Sequence, residues 1–497
     1  MGNKKGSDPI ALIADWIAAA MLGEVVAGDR RQVFTGVSID TRTLKPGDLF
    51  VAIRGERHDG ADFAQAAIVA GAAGVVLPRG RGRDVTQPRN VAQPFRAAES
   101  DTAVDAAPKG GATAAVIEVA DPTAALQALG HAVRVESGAK VVAITGSAGK
   151  TTTKEITAEF LAARYQVIRN RGNLNNHIGL PLSLMELTTR PEIAVVELGM
   201  NHAGEIGTLV RIAQPEVRVW TNVGEAHLGF FESVEAIADA KAEIFEGATA
   251  ASVLIANADD ERIVARASSF RGRVVTFGID RDADVGATAV VDRGIEGVSA
   301  RVSTPRGDVD LTTPLVGRAN LANVLAATAV AVEFGIPLDA ITERAARLRP
   351  ASRRGEIVRL PKGVTVIDDS YNANPMAMRR ALEVLRTAEG ASRRVAVLGE
   401  MLELGDRAVA LHEEVGAVAA ASRVDLLLAV GGAPARAMAD AAVAAGMPRD
   451  HVRHVATSQE AANLAAQVIG PGDLVLVKGS RGIGTDAVAE RLKAEFA

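Results

Sequence analysis

One stretch of this chain has the residue types and the spacing to hold a triphosphate. Val141-Val142-Ala143-Ile144 runs into Thr145-Gly146-Ser147-Ala148-Gly149-Lys150-Thr151-Thr152-Thr153, followed by Ile156, Phe160 and Leu161 at helical spacing. Strand, glycine loop and helix in that order make a phosphate-binding loop. The glycines let backbone N–H groups close around phosphate oxygens at a helix N-terminus, Lys150 supplies a point charge for the β- and γ-phosphates, and the Thr151 hydroxyl suits Mg2+. Residues Thr145 to Thr152 are therefore expected to line a nucleoside triphosphate. The usual motif opens with a glycine six residues before its lysine; Ile144 stands there, so the loop is the shortened T-G-x-x-G-K-T form. The bland alternative is a glycine-rich strand-to-helix turn, which Lys150-Thr151-Thr152 and the flanking elements argue against.

Such a loop does not choose between motor, GTPase switch, kinase and ligase. A GTPase would carry an Asn-Lys-x-Asp motif, and the nearest candidate, Asn257-Ala258-Asp259-Asp260, lacks the lysine. Two further groups stand just past strands, where ligand-facing residues of an open α/β sheet project. Glu197 follows Ile193-Ala194-Val195-Val196, and His227 follows the run from Val217 to Ala226. On position alone Glu197 is equally a solvated carboxylate, and His227 is more often a satisfied polar group than a metal ligand. The other histidines, at 58, 131, 177, 202, 412, 451 and 454, show no zinc-type spacing, and there are no cysteines to supply thiolates or disulfides.

The elements that must position these groups are legible as alternation. Short β-rich runs at Val141–Ile144, Ile193–Val196, Val217–Thr221 and Val253–Ala256 alternate with helical segments, the pattern of a parallel sheet covered by helices. An Ala-rich helix over Asn320–Phe334 and a second one after Pro337 to about Leu348 precede a boundary near Arg349-Pro350. Beyond it, Thr365–Asp368, Val395–Leu398, Leu426–Val430 and Leu474–Val477 repeat the alternation, a second doubly wound region. Ahead of the phosphate loop, residues 33–78 mix short apolar runs with turn signals, and Pro9–Val26 is expected to be an amphipathic helix. Residues 79–112, rich in Gly, Arg, Pro, Gln, Asp and Ala, are expected to be a flexible insertion, because so few bulky apolar groups cannot offset ordering entropy.

The fold class is thus α/β with three domains: a small α/β domain over 1–138, a central phosphate-loop mononucleotide-binding domain over 139–348 and a Rossmann-like domain over 349–497. A length of 497 residues fits two to four cores. Composition, 48% hydrophobic and 23% charged, is that of a soluble globular protein. A net charge of −5 supplies no basic footprint for nucleic acid, and no apolar run is long enough for a membrane span. A cytoplasmic location and a monomer are expected.

Several further segments carry a resemblance: Gly172-Asn173-Leu174-Asn175-Asn176-His177-Ile178-Gly179-Leu180-Pro181, Glu197-Leu198-Gly199-Met200-Asn201, Asn222-Val223-Gly224-Glu225-Ala226-His227-Leu228 and Gly317-Arg318-Ala319-Asn320-Leu321-Ala322-Asn323. With the phosphate loop, and in this order, they resemble the Mur ligase family along nearly the whole chain. Asp368-Asp369-Ser370-Tyr371-Asn372-Ala373-Asn374-Pro375, Leu398-Gly399-Glu400-Met401 and Val477-Lys478-Gly479-Ser480-Arg481 are similar to the members that add D-alanyl-D-alanine. Ser38-Ile39-Asp40-Thr41-Arg42 and Gly47-Asp48-Leu49-Phe50-Val51-Ala52 resemble a UDP-binding segment.

The resemblance implies an ATP-dependent, ADP-forming ligase of cell-wall peptidoglycan synthesis, acting on UDP-N-acetylmuramoyl-tripeptide and D-alanyl-D-alanine through an acyl phosphate. It implies that Lys150, Glu197, His227 and Lys241 are catalytic, with Mg2+ held by Thr151, Glu197, His227 and, if carbamylated, Lys241. It places Asn320, Asn323, Arg354 and Asp369 at ATP, and Ser38, Thr41, Arg42, Asn173, Asn175 and Asn176 at the UDP substrate. Because Arg354 and Asp369 lie beyond the second boundary, closure of the third domain over the second should be required. Alternatives are another amide ligase of the same architecture, such as a different Mur enzyme or a folylpolyglutamate synthetase, and a non-ligase ATP-hydrolysing binding protein. The Asp368–Pro375 segment with the UDP-type N-terminus discriminates against the first, and acceptor-dependent phosphate release against the second.

Overall fold

Fully apolar runs of about five residues, such as Ile193-Ala194-Val195-Val196 and Leu426-Leu427-Leu428-Ala429-Val430, bury both faces of a strand and therefore demand a parallel sheet sandwiched by helices. The structure, a computed structural model, describes residues 8–86, 114–226 and 228–497. The described chain forms two compact units. The first gathers its residues up to Lys140 with Asn170–Ala194 and Arg211–Gln214; the second holds Val141–Arg169, Val195–Val210 and Pro215–Ala497.

In the first unit a five-stranded sheet runs in the order Glu24–Ala27, Ala115–Val119, Gly74–Pro78, Leu49–Val51, Val37–Ser38. Only Glu24–Ala27 is antiparallel to its neighbour. Phe50, Val75, Leu77 and Val116 fill its core. The helix expected over Pro9–Val26 is shorter than that. It spans Ala14–Ala20, with strand Leu12–Ile13 before it and Glu24–Ala27 after it, because Val25 is needed in the sheet and Gly23 permits close approach to Glu118. The start of the expected insertion is ordered. Arg83–Thr86 is a short helix and the Gly82 N–H donates to Glu118 Oε1 at 2.7 Å, whereas 87–112 lie outside the described residues.

The second unit carries two sheets. The nine-stranded one reads Gly307–Thr313, Val298–Thr304, Val285–Asp292, Arg273–Gly278, Val253–Asn257, Val217–Trp220, Lys140–Thr145, Ile193–Glu197, Val167–Arg169. From Val285–Asp292 to Lys140–Thr145 it is parallel, and Val298–Thr304 and Gly307–Thr313 extend it by antiparallel pairing. The long helix is Gly317–Glu333, beginning three positions before the expected start, and it packs on the phosphate-loop helix Lys150–Leu161. The next helix, Leu338–Ala345, ends short of Leu348.

The six-stranded sheet reads Glu356–Arg359, Thr365–Asp369, Asp473–Lys478, Arg393–Gly399, Leu426–Val430, Val452–Val455. It is parallel apart from Glu356–Arg359. Return of the chain to insert Asp473–Lys478 between two earlier strands makes a topological switch, so Asp369, Gly399 and Lys478 end at one edge. No helix among the described residues is long and apolar enough to cross a membrane.

Candidate active site

The phosphate loop lies where its sequence requires. Gly146 and Gly149 take positive φ of 152° and 80°, conformations closed to other L-residues at little cost only for glycine. Helix Lys150–Leu161 begins with no side chain capping it, so its first N–H groups stay available to an anion. Lys150 Nζ donates to Gly146 O at 2.8 Å, folding the side chain back over the loop.

Glu197, 4% exposed, ends its strand beside this loop and accepts the Thr151 hydroxyl at 2.6 Å. Burial works hardest against its charge, yet the Lys150 ammonium, the Thr151 donor, Arg354 and Lys154 outweigh it, so the carboxyl titrates below its ordinary range. Burial pushes the Lys150 ammonium down, with Glu197 opposing and Arg354 reinforcing that shift. Lys241, on helix Val234–Ala242, is 2% exposed and donates to the same Gly146 carbonyl at 3.2 Å. Burial, with the Lys150 charge adding to it, lowers this amine well below a lysine's usual value.

Beneath the loop, Asn323 is buried. Its Oδ1 accepts the Thr153 hydroxyl at 3.2 Å, its Nδ2 donates to Asn320 Oδ1 at 3.2 Å, and a Cβ on Gly149 would stand 2.4 Å from Asn323 Oδ1. Asn320 is half-buried and donates to Val316 O at 2.9 Å. Thr145 is wholly buried, its hydroxyl donating to Leu198 O at 3.2 Å, so it shapes the loop from below. The 221–224 segment holds the loop's other side. The Thr221 hydroxyl donates to Ala148 O at 2.8 Å, and the Asn222 amide both accepts from Ala148 N–H and donates to Ala148 O at 2.9 Å. Ser147 Oγ accepts the Gly224 N–H at 2.9 Å. Sequence reasoning assigned Asn222 no role, although it opens a segment singled out there; an asparagine directly past a strand that borders the loop was the available signal.

Arg354 is brought to this cluster from the segment leading into the six-stranded sheet. Its charge acts on both Lys150 and Glu197, and its guanidinium lies 3.9 Å above the Tyr371 ring, with Arg481 at 5.9 Å from the same ring. Asp369 is held within its own sheet by buried Lys478, Nζ to Oδ2 at 2.6 Å. His227 lies outside the described residues.

The remaining candidates belong to the first unit. Ser38 Oγ donates to Asp40 O at 3.0 Å and accepts the Asp40 N–H at 3.2 Å. Arg42 grips Asp40 through Nε and Nη2, at 2.9 and 2.6 Å, and this pairing holds the Asp40 carboxyl down at about 2. Thr41 is half-buried between them. Asn176 Oδ1 accepts the Gly179 N–H at 2.8 Å, Asn173 O accepts the Asn175 N–H at 2.8 Å, and the Asn173 side chain is exposed.

Comparison with known proteins agrees with this layout. The chain matches the Mur ligase family, catalytic domain, over residues 33–134, the Mur ligase middle domain over 144–331, and the Mur ligase, glutamate ligase domain over 353–481. It is 33% identical over 464 residues to the UDP-N-acetylmuramoyl-tripeptide–D-alanyl-D-alanine ligase of Bacillus subtilis (strain 168), covering 93% of each chain. Identity to the ligase of that name from Escherichia coli (strain K12) is 38% over 396 residues, 80% of this chain and 81% of the other. A crystal structure of MurF from Acinetobacter baumannii superposes with a TM-score of 0.82 at 30% identity, covering 98% of this chain and 99% of that one. MurF ligase from Thermotoga maritima in complex with ADP gives 0.76 at 27% identity, with 93% and 97% covered.

Proposed function

The chain belongs to the Mur ligase family, and from that premise we propose that it is an ATP-dependent, ADP-forming ligase joining D-alanyl-D-alanine to UDP-N-acetylmuramoyl-tripeptide, a step that completes the pentapeptide of a peptidoglycan precursor. The observation that carries the reading is Glu197, a buried carboxylate kept ionised between Thr151, Lys150 and Arg354 at the mouth of an uncapped phosphate-loop helix.

A carboxylate does not condense with an amine near neutral pH. One oxygen of the tripeptide carboxylate attacks the γ-phosphorus, the bond to the bridging oxygen breaks, and ADP leaves with that electron pair. The dipeptide amine then attacks the acyl carbon, loses a proton, and expels inorganic phosphate carrying the former carboxylate oxygen. The protein's share is positioning and charge neutralisation. Lys150 and the first-turn N–H groups hold the phosphates, Arg354 adds charge from the six-stranded sheet, and Asn320, Asn323 and Asp369 are assigned to the nucleotide. Ser38, Thr41, Arg42, Asn173, Asn175 and Asn176 are assigned to the UDP substrate.

Mg2+ takes oxygen ligands and commonly rests on one or two carboxylates plus substrate phosphates. The Thr151 hydroxyl and the ionised Glu197 carboxylate fit that preference, and His227 joins them in the assignment. Bound there, the ion would neutralise charge on the β- and γ-phosphates. Lys241 fits as a carbamate. A desolvated, neutral amine is the form that adds to CO2, releasing a proton and leaving an anionic oxygen ligand next to Lys150. Protein equilibrated with carbon-13 bicarbonate should give one carbamate carbon signal that Lys241→Met removes; a spectrum without it leaves Lys241 an amine.

The domains are assigned as 1–138, 139–348 and 349–497, the second boundary falling between helix Leu338–Ala345 and strand Glu356–Arg359. Cytoplasmic location and a monomer complete the proposal. Its test is transfer of labelled oxygen from the tripeptide carboxyl to released phosphate, dependent on both substrates. Lys150→Ala should abolish turnover with unchanged circular dichroism. Steady ATP hydrolysis without either acceptor would sink the ligase.

A further inference from the structure

The segment after strand Val217–Trp220 has two occupied faces. Toward the phosphate loop, Thr221, Asn222 and Gly224 fix the backbone of Ser147 and Ala148, as described above. The opposite face meets helix Pro375–Thr387 and the turn after strand Arg393–Gly399, both belonging to the six-stranded sheet. Arg379 Nη2 pairs with Glu225 Oε2 at 2.6 Å, and the other partner of this guanidinium, Glu414, is farther, at 3.8 Å. Met376 lies so close to Gly224 that a Cβ there would stand 1.8 Å from the Met376 Cε. Asn374 Oδ1 caps the helix through the Ala377 N–H at 2.8 Å, and its Nδ2 lies 3.5 Å from Ser147 O. Farther along, the Gly229 N–H donates to Glu403 O at 2.8 Å.

We propose that Arg379 and Met376 are positioning residues, whose seating on Glu225 and Gly224 holds the 221–224 segment, and through it Ser147 and Ala148, in the shape that transfers the phosphoryl group. Their effect is relayed through one segment only two residues deep between Glu225 and the Asn222 amide. A glycine at 224 makes room for the end of the Met376 side chain, which any larger residue would displace from its seat. The helix follows directly on Asp368–Asn374, the segment whose sequence resembles the members that add D-alanyl-D-alanine, so that segment and the phosphate loop share one mechanical link. This inference rests on the ligase reading.

Two independent swaps test it. Arg379→Met should lower kcat roughly tenfold, the scale of a modest misplacement of reacting groups, with the KM for the UDP substrate changed less than about twofold. Exchanging the charges, Glu225→Arg with Arg379→Glu, should recover most of that loss, giving a coupling that independent sites would not show. Gly224→Ala should be impaired to a similar degree, and Met376→Ala placed on top of it should restore turnover by making room. A purely structural role would move the melting temperature and leave kcat alone. Wild-type kcat in Arg379→Met, or two exchanges that both fail to restore it in folded protein, would overturn the coupling while leaving ligation standing. Failure of the wild-type chain to form amide would instead remove the reading beneath it.

Discussion

His412 shows how one buried side chain reports on pH. It is 0% exposed, and both ring nitrogens are committed to backbone: Nε2 accepts the Met401 N–H at 2.9 Å and Nδ1–H donates to Ala408 O at 2.6 Å. The Met401 amide can only donate, so Nε2 must be bare and the ring neutral. Burial lowers its pKa below the usual 6.5, with the Ala408 carbonyl and Glu400 pulling weakly the other way. The unfolded chain therefore binds a proton at about 6.5 that the folded protein refuses, and stability falls as pH drops below that value. The contribution is whole above about 6.5 and is lost toward the folded value. As pH falls below about 6.5 the denaturation midpoint of the wild type should therefore fall more than that of His412→Gln. Parallel losses in the two proteins would show that the ring does not titrate as its bonds require.

Among the elements, strand Lys140–Thr145, its loop and helix Lys150–Leu161 were legible because every signal is local: apolar run, two glycines, lysine, threonines, then helical periodicity. What packs behind the loop was not. Thr153 and Asn323 are 170 residues apart, Ala148 and Asn222 are 74 apart, and only the long helix crossing behind Lys150–Leu161 brings the first pair together. Sequence spacing read Asn320 and Asn323 as one helix face, which they are, since the two amides bond to each other; the burial of Asn323 against Gly149 needed the third dimension. The strands at 285–313 escaped for a different reason. Half of Val285–Asp292 is exposed and Gly307–Thr313 alternates polar with apolar residues, so this end of the sheet lacks the unbroken apolar runs that mark its buried central strands. Val452–Val455 and Glu356–Arg359, short edge strands, are partly solvated likewise. The Pro9–Val26 expectation failed because Gly23 interrupts a pattern that reads as one amphipathic stretch.

At the scale of the whole molecule, the guanidinium assigned to the nucleotide phosphates comes from a segment that begins after the phosphate-loop sheet is complete. Arg354 approaches Lys150 and Glu197 closely enough to shift both, while its own orientation is set by the Tyr371 ring 3.9 Å below it. Backbone bonds fasten this segment to the six-stranded sheet: Gly355 N–H donates to Asp368 O at 3.0 Å and Tyr371 N–H to Arg353 O at 3.1 Å. The Arg353 guanidinium pairs with Asp486 at 2.6 Å. Arg354 is therefore fastened to that sheet, and from there its charge is felt at Lys150 and Glu197. Arginine stacks on an aromatic face through a flat, delocalised cation, worth roughly 0.5 to 2 kcal/mol, whereas lysine offers a strongly hydrated point charge. Arg354→Lys keeps the charge and loses the platform, so kcat should fall by about tenfold, equivalent to about 1.4 kcal/mol of barrier. Tyr371→Phe, which keeps the ring, should turn over near the wild-type rate, and Tyr371→Leu should follow Arg354→Lys. If Tyr371→Leu instead matched wild type in steady-state assays, the ring would be a bystander to the placement of the guanidinium.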